Sequence, residues 1–363
     1  MNLVKTSYKA EDVSILLKDI TGLIEPIGTE EREKLNQSGI HYSEMLPVEY
    51  KPTEEYMRIF EESLNLLSYK TANATAILAE KLYNKYGKDL VLVSLARAGT
   101  PIGILIKRYI KFKYHVILPH YSISIIRGKG FDINAIEFIV RFHGAYGVQF
   151  VDGWIGKGAI NKVLVEACSK LKKASVIYDK LDDSLAVLSD PAYITEWCGT
   201  HEDFLIPSAC LNATVSGLIS RTFHRADIIG ENDFHGAMFY ENMASEDKSN
   251  EFLDTVCSYF DKIDYDYFKN AYEMPKGKHG INEVIEISQY FGITDINKVK
   301  PGVGETTRVL LRRVPDMVLV RDKKQTDGLE HILRLCEEKN VKIVEYPMQM
   351  YRVCGIIKKV SDL

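Results

Sequence analysis

The sequence has few cysteines, no cysteine pair at metal-binding spacing and no long hydrophobic run. Six cysteines are scattered over the 363 residues, namely Cys168, Cys198, Cys210, Cys257, Cys336 and Cys354. Without a C-x-x-C pair, the pattern indicates neither a zinc ribbon nor a disulfide framework, and it fits a reducing compartment. No stretch approaches a transmembrane span, and residues 1–5 lack the apolar core of a signal peptide. We therefore expect a cytoplasmic protein without a membrane segment.

A large excess of positive charge is also missing. The net charge is −4, with 46% hydrophobic and 26% charged residues, which is an ordinary globular composition. The whole molecule is therefore not a basic nucleic-acid binder. From residue 300 onward, however, 13 Lys and Arg stand against 9 Asp and Glu. This asymmetry indicates a separate partner for the C-terminal part, and the length is sufficient for two domains.

Apolar runs that alternate with amphipathic segments predict the fold. Leu90–Leu95 is a continuous apolar run, typical of a strand buried on both faces of a parallel sheet. Further strands are predicted at Tyr114–Pro119, Ser122–Ile126, Val148–Val151, Ser175–Tyr178 and Leu185–Leu188. Because helical segments separate most of these runs, the chain is predicted to be α/β, with a doubly wound, mainly parallel sheet.

The predicted domain organisation has two parts. Residues 1–275 form the larger domain, with a helical extension (1–88), a sheet core (89–190) and an irregular hood (191–275). Within the extension, apolar residues recur at helical spacing over Pro52–Gly87 and predict one long helix that ends at Gly87. The hood is expected to cover the site. A linker at Lys276–Gly280 then leads into a small α/β domain, residues 276–363. Its helices are predicted at Asn282–Phe291, Glu305–Arg313 and Leu329–Lys339.

The stretch Val148–Ile160 is the strongest functional signal. A β-prone run ends at Asp152, a glycine-rich turn with Lys157 follows, and an amphipathic helix starts at Ala159. Free amides and the helix dipole would both point at this turn, and its glycines would let a ligand approach the backbone. The spacing is not that of a P-loop. The turn predicts a phosphate-binding site, with a purely structural strand-to-helix turn as the alternative.

Together with two upstream segments, this turn resembles the loops of type I phosphoribosyltransferases. The turn after Leu95 resembles the diphosphate loop, and Arg127-Gly128-Lys129-Gly130 falls where that family has its flexible loop. Asp152 aligns with the first acid of the family's phosphate loop, whereas Gly153 stands where the family has a second acid.

The resemblance implies a set of site residues. The phosphoribosyl phosphate would be held by Gly153, Trp154, Ile155, Gly156, Lys157, Gly158 and Ala159. The diphosphate would be held by Arg97, Ala98 and Gly99, and the catalytic residues would be Asp152, Arg127 and Lys129. The implied reaction transfers ribose 5-phosphate between phosphoribosyl diphosphate and a nitrogenous base. Mg²⁺ would be bound through the diphosphate, with no direct protein ligand. The missing second acid also fits a non-catalytic nucleotide sensor.

A cysteine protease is the third hypothesis. Cys210 lies in a small-residue apolar run and has His201, His224 and His235 near it in the sequence, so a Cys–His nucleophile is conceivable. The alternative for Cys210 is packing. The hood candidates for contact with the base are Cys210, Asn212, Ser216 and Arg221.

Pro301–Arg313 begins with glycines and enters a basic helix. This segment resembles the pelota-like RNA-binding domains, in which such a helix N-terminus meets the RNA backbone. The RNA-binding candidates are Gly304, Glu305, Thr306, Arg308 and Arg312. A basic but purely structural module is the alternative.

The whole combination resembles the StiP-type phosphoribosyltransferase-like proteins of bacterial tellurite-resistance and stress operons, which are also called cysteine proteases. The resemblance leaves open whether the protein forms a homodimer.

Overall fold

The computed structural model describes residues 2–269, 279–313 and 315–358. Three residues of the predicted linker, Lys276 to Lys278, lie outside this range, so the domain boundary at residue 275 stays a prediction. No helix in the described part is both long and apolar enough to cross a membrane.

The elements follow one another as alternating strands and helices. The strands are β1 (Ser14–Ile15), β2 (Lys18–Asp19), β3 (Val91–Ala96), β4 (His120–Ile126), β5 (Gly130–Phe131), β6 (Val148–Trp154), β7 (Leu185–Ser189), β8 (Cys198–Thr200), β9 (Gly236–Ala237), β10 (Val299–Pro301), β11 (Pro315–Val320), β12 (Lys342–Glu345) and β13 (Val353–Ile357). The helices are α1 (Thr29–Gln37), α2 (Glu54–Tyr86), α3 (Gly99–Tyr114), α4 (Ile133–His143), α5 (Ala159–Ala174), α6 (Ser249–Cys257), α7 (Gly280–Tyr290), α8 (Val303–Arg312) and α9 (Glu330–Glu338).

The main sheet has seven strands in the order β1-β4-β3-β6-β7-β8, with β5 antiparallel to β4 and all other pairs parallel. Successive residues of β3 point to opposite faces. Leu92 belongs to a buried apolar cluster that includes Leu78 of α2, whereas Val93 belongs to a second cluster that includes Ile136 of α4 and Leu164 of α5. Helices therefore cover both faces, which confirms the predicted doubly wound α/β fold.

The long helix α2 confirms the helix predicted before the first core strand. The Thr53 hydroxyl accepts from the Tyr56 amide at its start, and Gly87 ends it with a φ of 57°, a conformation that favours glycine. The rest of the predicted helical extension is less helical, because β1 lies beside β4 and β2 pairs with β9.

Two predicted strands are wrong. Helix α3 continues to Tyr114, and β4 starts only at His120. Ser175–Tyr178 contains a single 3₁₀ turn, in which Val176 is 79% exposed. Short apolar runs carry no period that separates a strand from an apolar turn, so the pattern overestimated the strand content here.

A second, four-stranded sheet forms the smaller C-terminal domain in the order β10-β13-β11-β12. Strands β11 and β12 are parallel, and β13 runs antiparallel to both β10 and β11. Helices α7, α8 and α9 lie close to their predicted positions. The hood (191–275) is irregular as expected, with α6 as its one helix among the described residues.

Candidate functional site

The glycine-rich turn after β6 lines a cavity between the main domain and the C-terminal domain. Gly158 adopts a φ of 82° at the start of α5 and thereby reverses the chain. The cavity has a volume of about 170 Å³. Its lining comprises Ala98, Arg127, Asp152, the turn from Trp154 to Asn161, Leu185, Lys300, Pro301, Glu305 and Arg308. The structure thus brings together the predicted phosphate loop, one residue of the predicted flexible loop and the start of α8.

The charges in this cavity are mixed. Burial raises the pKa of Asp152 to about 7, although the Gly153 amide donates to its carboxylate at 2.8 Å. Burial also lowers the pKa of Lys157 to about 8, and the nearby Lys300 acts in the same direction. Because removal from water penalises both charged forms, each group titrates close to neutral pH.

The turn also holds the two domains together. The Lys157 ammonium donates to the carbonyl of Ile296 at 2.7 Å and to that of Val299 at 3.3 Å. The Tyr351 hydroxyl donates to the Gly156 carbonyl at 2.6 Å. The side chain predicted to bind phosphate therefore contacts backbone carbonyls of the C-terminal domain.

The other predicted cations are engaged with protein groups. Arg97 forms a bidentate ion pair with Glu49 at 2.7 and 2.8 Å and donates to the Ile219 carbonyl. Lys129 contacts the Glu44 carboxylate at 2.9 Å and the His224 carbonyl at 3.2 Å. Of the three cations predicted on the upstream loops, Arg127 is the one that lines the cavity.

The four hood candidates lie away from the lining of this cavity. Cys210 is fully buried, with its sulfur 3.7 Å from the Ser63 hydroxyl of α2. Ser216 is 5% exposed, Asn212 precedes a 3₁₀ turn, and the Arg221 guanidinium lies 5.5 Å from the Tyr42 ring centre. In the described part of the structure, none of these four residues lines the cavity, so the hood does not cover it as expected.

Three of the RNA-binding candidates at the start of α8, Gly304, Glu305 and Arg308, face the main domain. Gly304 packs on the Trp154 ring, and the Arg308 guanidinium lies 5.7 Å from the centre of that ring. Thr306 is fully buried, and Glu305 lines the cavity. The side chain of Arg312 lies outside the described part of the structure.

A cysteine and a histidine that the sequence did not connect lie together at the edge of the main sheet. The Cys198 sulfur in β8 is 3.5 Å from Nε2 of His201 and 3.8 Å from its Nδ1. His201 Nδ1 bonds to the Asp190 carbonyl at 2.7 Å and lies 3.9 Å from the Asp190 carboxylate. The available signal in the sequence was the Cys-x-x-His spacing of Cys198 and His201, a short distance after a buried apolar run that is followed by Asp190.

The surroundings of this pair hold it in place. The Asp190 carboxylate accepts from the backbone amides of Ala192, Ile194 and Thr195. The His201 ring stacks on Tyr193 at 4.0 Å. Cys198 is 1% exposed, and burial raises the pKa of its thiol to about 12.

The architecture is that of a two-part protein, an α/β domain with a thiol–histidine pair followed by a small α/β domain. Residues 6–257 match the family described as "Tellurite-like stress resistance cysteine protease StiP". Residues 278–359 match the "PELOTA RNA binding domain". The chain belongs to the StiP family.

A relative with the name "Cysteine protease StiP", from Acinetobacter baylyi, is 34% identical over 375 residues, covering 98% of this chain and 94% of the relative. Among solved structures, a hypoxanthine-guanine-xanthine phosphoribosyltransferase covers 49% of this chain and 93% of its own at 16% identity. Its TM-score is 0.24, so this likeness carries no argument.

These findings overturn the predicted phosphoribosyltransferase activity. The family and the relative are both named as cysteine proteases, which are hydrolases. The physical reason for the error is that glycine-rich turns with cations also serve structure, as Lys157 and Arg97 do here. The expected stress-resistance family and pelota domain are confirmed. The Mg²⁺ expectation depended on the diphosphate and stays untested, as does the homodimer.

Proposed function

We propose that the protein is a cysteine peptidase that uses Cys198 as nucleophile and His201 as general base. The observation that carries this proposal is the 3.5 Å approach of Cys198 Sγ to His201 Nε2. A nucleophile within reach of a base, which is itself oriented by a third group, is the arrangement that cysteine and serine hydrolases share. The family description supports the same chemistry.

The hydrogen bond to Asp190 selects the useful form of the imidazole. A carbonyl oxygen can only accept, so the 2.7 Å contact with the Asp190 carbonyl requires a proton on His201 Nδ1. In the neutral ring, Nε2 is then unprotonated. It is also the ring nitrogen nearer to the Cys198 sulfur, and it can accept the thiol proton.

The reaction follows from this placement. The thiol proton moves to Nε2, and the thiolate of Cys198 attacks the carbonyl carbon of a peptide bond. His201 then returns the proton to the leaving amine, which departs as the C–N bond breaks. Water, deprotonated by the same nitrogen, hydrolyses the thioester and restores the thiol.

The resting site is closed. With the thiol 1% exposed and its pKa near 12, Cys198 is a neutral, inaccessible group in this conformation. The side chain of His201 is 31% exposed and stacks on Tyr193. Displacement of Tyr193, with His201 staying beside the sulfur, would open the site. We infer that substrate binding displaces Tyr193.

Cysteine-to-serine variants test this assignment against the Cys210 hypothesis. Cleavage of denatured casein is measured for the native chain, Cys198→Ser and Cys210→Ser, with circular dichroism to verify folding. We expect Cys198→Ser to lose at least 100-fold in activity and Cys210→Ser to remain within a few-fold of the native chain. Cleavage that survives in folded Cys198→Ser and disappears in Cys210→Ser would transfer the role to Cys210.

RNA binding by the C-terminal domain is a second candidate function, supported by the match of residues 278–359 to an RNA-binding domain. Binding to a panel of structured RNA hairpins, titrated at several salt concentrations, tests it. Phosphate contacts would make the affinity fall steeply with salt. The predicted cytoplasmic location fits both candidates and stays a prediction.

A further inference from the structure

We propose that Lys81 of α2 is a positioning residue that holds the backbone of Cys198 and stabilises the thiolate that forms there. The Lys81 ammonium donates to the carbonyl of Cys198 at 2.8 Å and to the carbonyl of Glu196 at 3.2 Å. A cation is thereby bound to the residue that carries the proposed nucleophile. This inference rests on the proposed peptidase function and adds one residue to its site.

The surroundings of Lys81 differ from those of two other lysines on α2. Lys85, one turn further along the helix, contacts the Asp182 carboxylate at 2.6 Å, and Lys70 is paired with Glu202. For Lys81, the described part of the chain provides two neutral carbonyls as hydrogen-bond partners and no carboxylate at ion-pairing distance. The charge of Lys81 is therefore not offset by an ion pair there.

A cation beside Cys198 acts on the first step of the proposed reaction. When the thiol proton moves to His201 Nε2, a negative charge forms on the sulfur and a positive charge forms on the ring. The Asp190 carboxylate, 3.9 Å from His201 Nδ1, favours the positive ring, whereas the Lys81 ammonium favours the negative sulfur. An opposite charge nearby stabilises the charged form of a group. Lys81 and Asp190 thus stabilise the two halves of the ion pair.

The charges around the thiol have opposing effects on it. Burial raises the pKa of the Cys198 thiol to about 12, while the charge of Lys81 lowers this pKa and that of Asp190 raises it. These groups lie on different elements, with Lys81 on α2, Asp190 after β7, and His201 just after β8, where its Nε2 is 3.5 Å from the sulfur. Because the thiolate is the reactive form of cysteine, removal of the Lys81 charge should make Cys198 less reactive.

The alternative role for Lys81 is purely structural. Strand β8 is the last strand of the main sheet, and a lysine bonded to the Cys198 carbonyl can hold this strand against α2. The two roles predict different effects on the alkylation of Cys198, whose residue is 1% exposed. A lost clamp would expose the sulfur and speed alkylation. A lost charge would lower the thiolate fraction and slow it.

The experiment measures the rate at which iodoacetamide alkylates Cys198 in the full chain from pH 6 to pH 9, by mass spectrometry of the Cys198 peptide. Lys81→Gln retains a hydrogen-bond donor without the charge, and Lys81→Arg retains both. Lys85→Gln is the matched control, because its ammonium already faces Asp182. Lys81 lies at an exposed position of α2, and circular dichroism verifies that each variant is folded.

We expect alkylation of Lys81→Gln to be about three- to fivefold slower at each pH, which is the effect of one charge several ångströms away in a partly hydrated site. Its pH–rate profile should therefore lie at higher pH than that of the native chain. Lys81→Arg and Lys85→Gln should match the native rate. Casein cleavage by Lys81→Gln should fall by a similar factor, since the same thiolate attacks the peptide bond.

The outcomes separate this inference from the peptidase function. If Lys81→Gln is alkylated at the native rate or faster, the electrostatic role is refuted, whatever the peptidase activity. If Lys81→Arg is slowed as much as Lys81→Gln, the charge is not the cause and the role is likewise refuted. If alkylation slows in Lys81→Gln alone and the native chain cleaves no casein, the peptidase function is refuted while the effect of Lys81 on the thiol stands.

Discussion

The Lys157 ammonium of the main domain donates to the Ile296 carbonyl of the C-terminal domain at 2.7 Å. This contact gives a structural role to a turn whose sequence resembles a phosphate-binding loop. The same turn receives the Tyr351 hydroxyl on the Gly156 carbonyl. The glycine-rich segment therefore serves as a docking surface in this structure, and the lysine that suggested an anion site satisfies backbone acceptors.

Lys157→Met should loosen the C-terminal domain. The variant leaves the Ile296 and Val299 carbonyls without this charged donor, and we expect a loss of about 2 kcal/mol in the free energy of unfolding, typical of a hydrogen bond to a charged group. Urea denaturation measures the loss. Lys162→Met, whose side chain is 80% exposed on the same helix, is the control. Equal stability of the two variants would contradict the docking role.

Arg97 should prove structural. Its ion pair with Glu49 is largely buried, with side-chain exposures of 14% and 6%. Arg97→Ala leaves a buried carboxylate without its partner, which costs about 3–5 kcal/mol in comparable cases. The double variant Arg97→Met with Glu49→Leu removes both charges and should recover most of that loss. Thermal unfolding of the native chain, Arg97→Ala and the double variant compares their stabilities. A single variant as stable as the native chain would refute the structural role of Arg97.

Gly99 and Gly153 should respond oppositely to alanine. A Cβ on Gly99 would lie 2.3 Å from the Val151 carbonyl oxygen, because α3 starts directly against β6. At Gly153 a Cβ would lie 3.8 Å from the Ala98 carbonyl oxygen, which is an ordinary van der Waals contact. We expect Gly99→Ala to lose about 1–3 kcal/mol, as overpacking does, and Gly153→Ala to be nearly neutral. Denaturant titration of both variants measures the two changes in the free energy of unfolding. A loss in Gly153→Ala as large as that in Gly99→Ala would contradict this difference.

Asp152→Asn should stabilise the protein at high pH only. The folded pKa is about 7, whereas an unfolded aspartate titrates near 4. Between these values the folded state holds a proton that the unfolded state has lost, so this group makes stability fall as pH rises. The asparagine variant should therefore melt higher than the native chain at pH 8 and equally at pH 4. Asp179→Asn, at an exposed position, is the control. If Asp152→Asn raised the melting temperature as much at pH 4 as at pH 8, the raised pKa of Asp152 would be contradicted.

Much of the secondary structure was predictable because it follows from local pattern. The run that became β3 is a continuous apolar stretch, and the run that became α2 has apolar residues at helical spacing. Ser175–Tyr178 shows the limit. Val176 and Ile177 are 79% and 52% exposed on a 3₁₀ turn, and Tyr178 alone of the three is buried.

The candidate site was less predictable, since its contacts join distant parts of the chain. Cys198 and His201 are close in sequence, yet the orienting carbonyl of Asp190 comes from the end of the neighbouring strand. The partner of Arg97 is Glu49, 48 residues earlier. Side chains with the right chemistry occur at many positions, and only the packing of strands selects which of them meet.

The sequence by itself determined the α/β class, the order of strands and helices, and the resemblance to a stress-resistance family with a pelota-like C-terminal part. These depend on periodicity, on turn residues and on motifs, all of which are local. The tertiary structure decided that Lys157 binds carbonyls, that Lys81 contacts the backbone of Cys198, and that Cys198 faces His201. Whether a charge is free for a ligand depends on what the folded chain places against it, and that is a property of the whole fold.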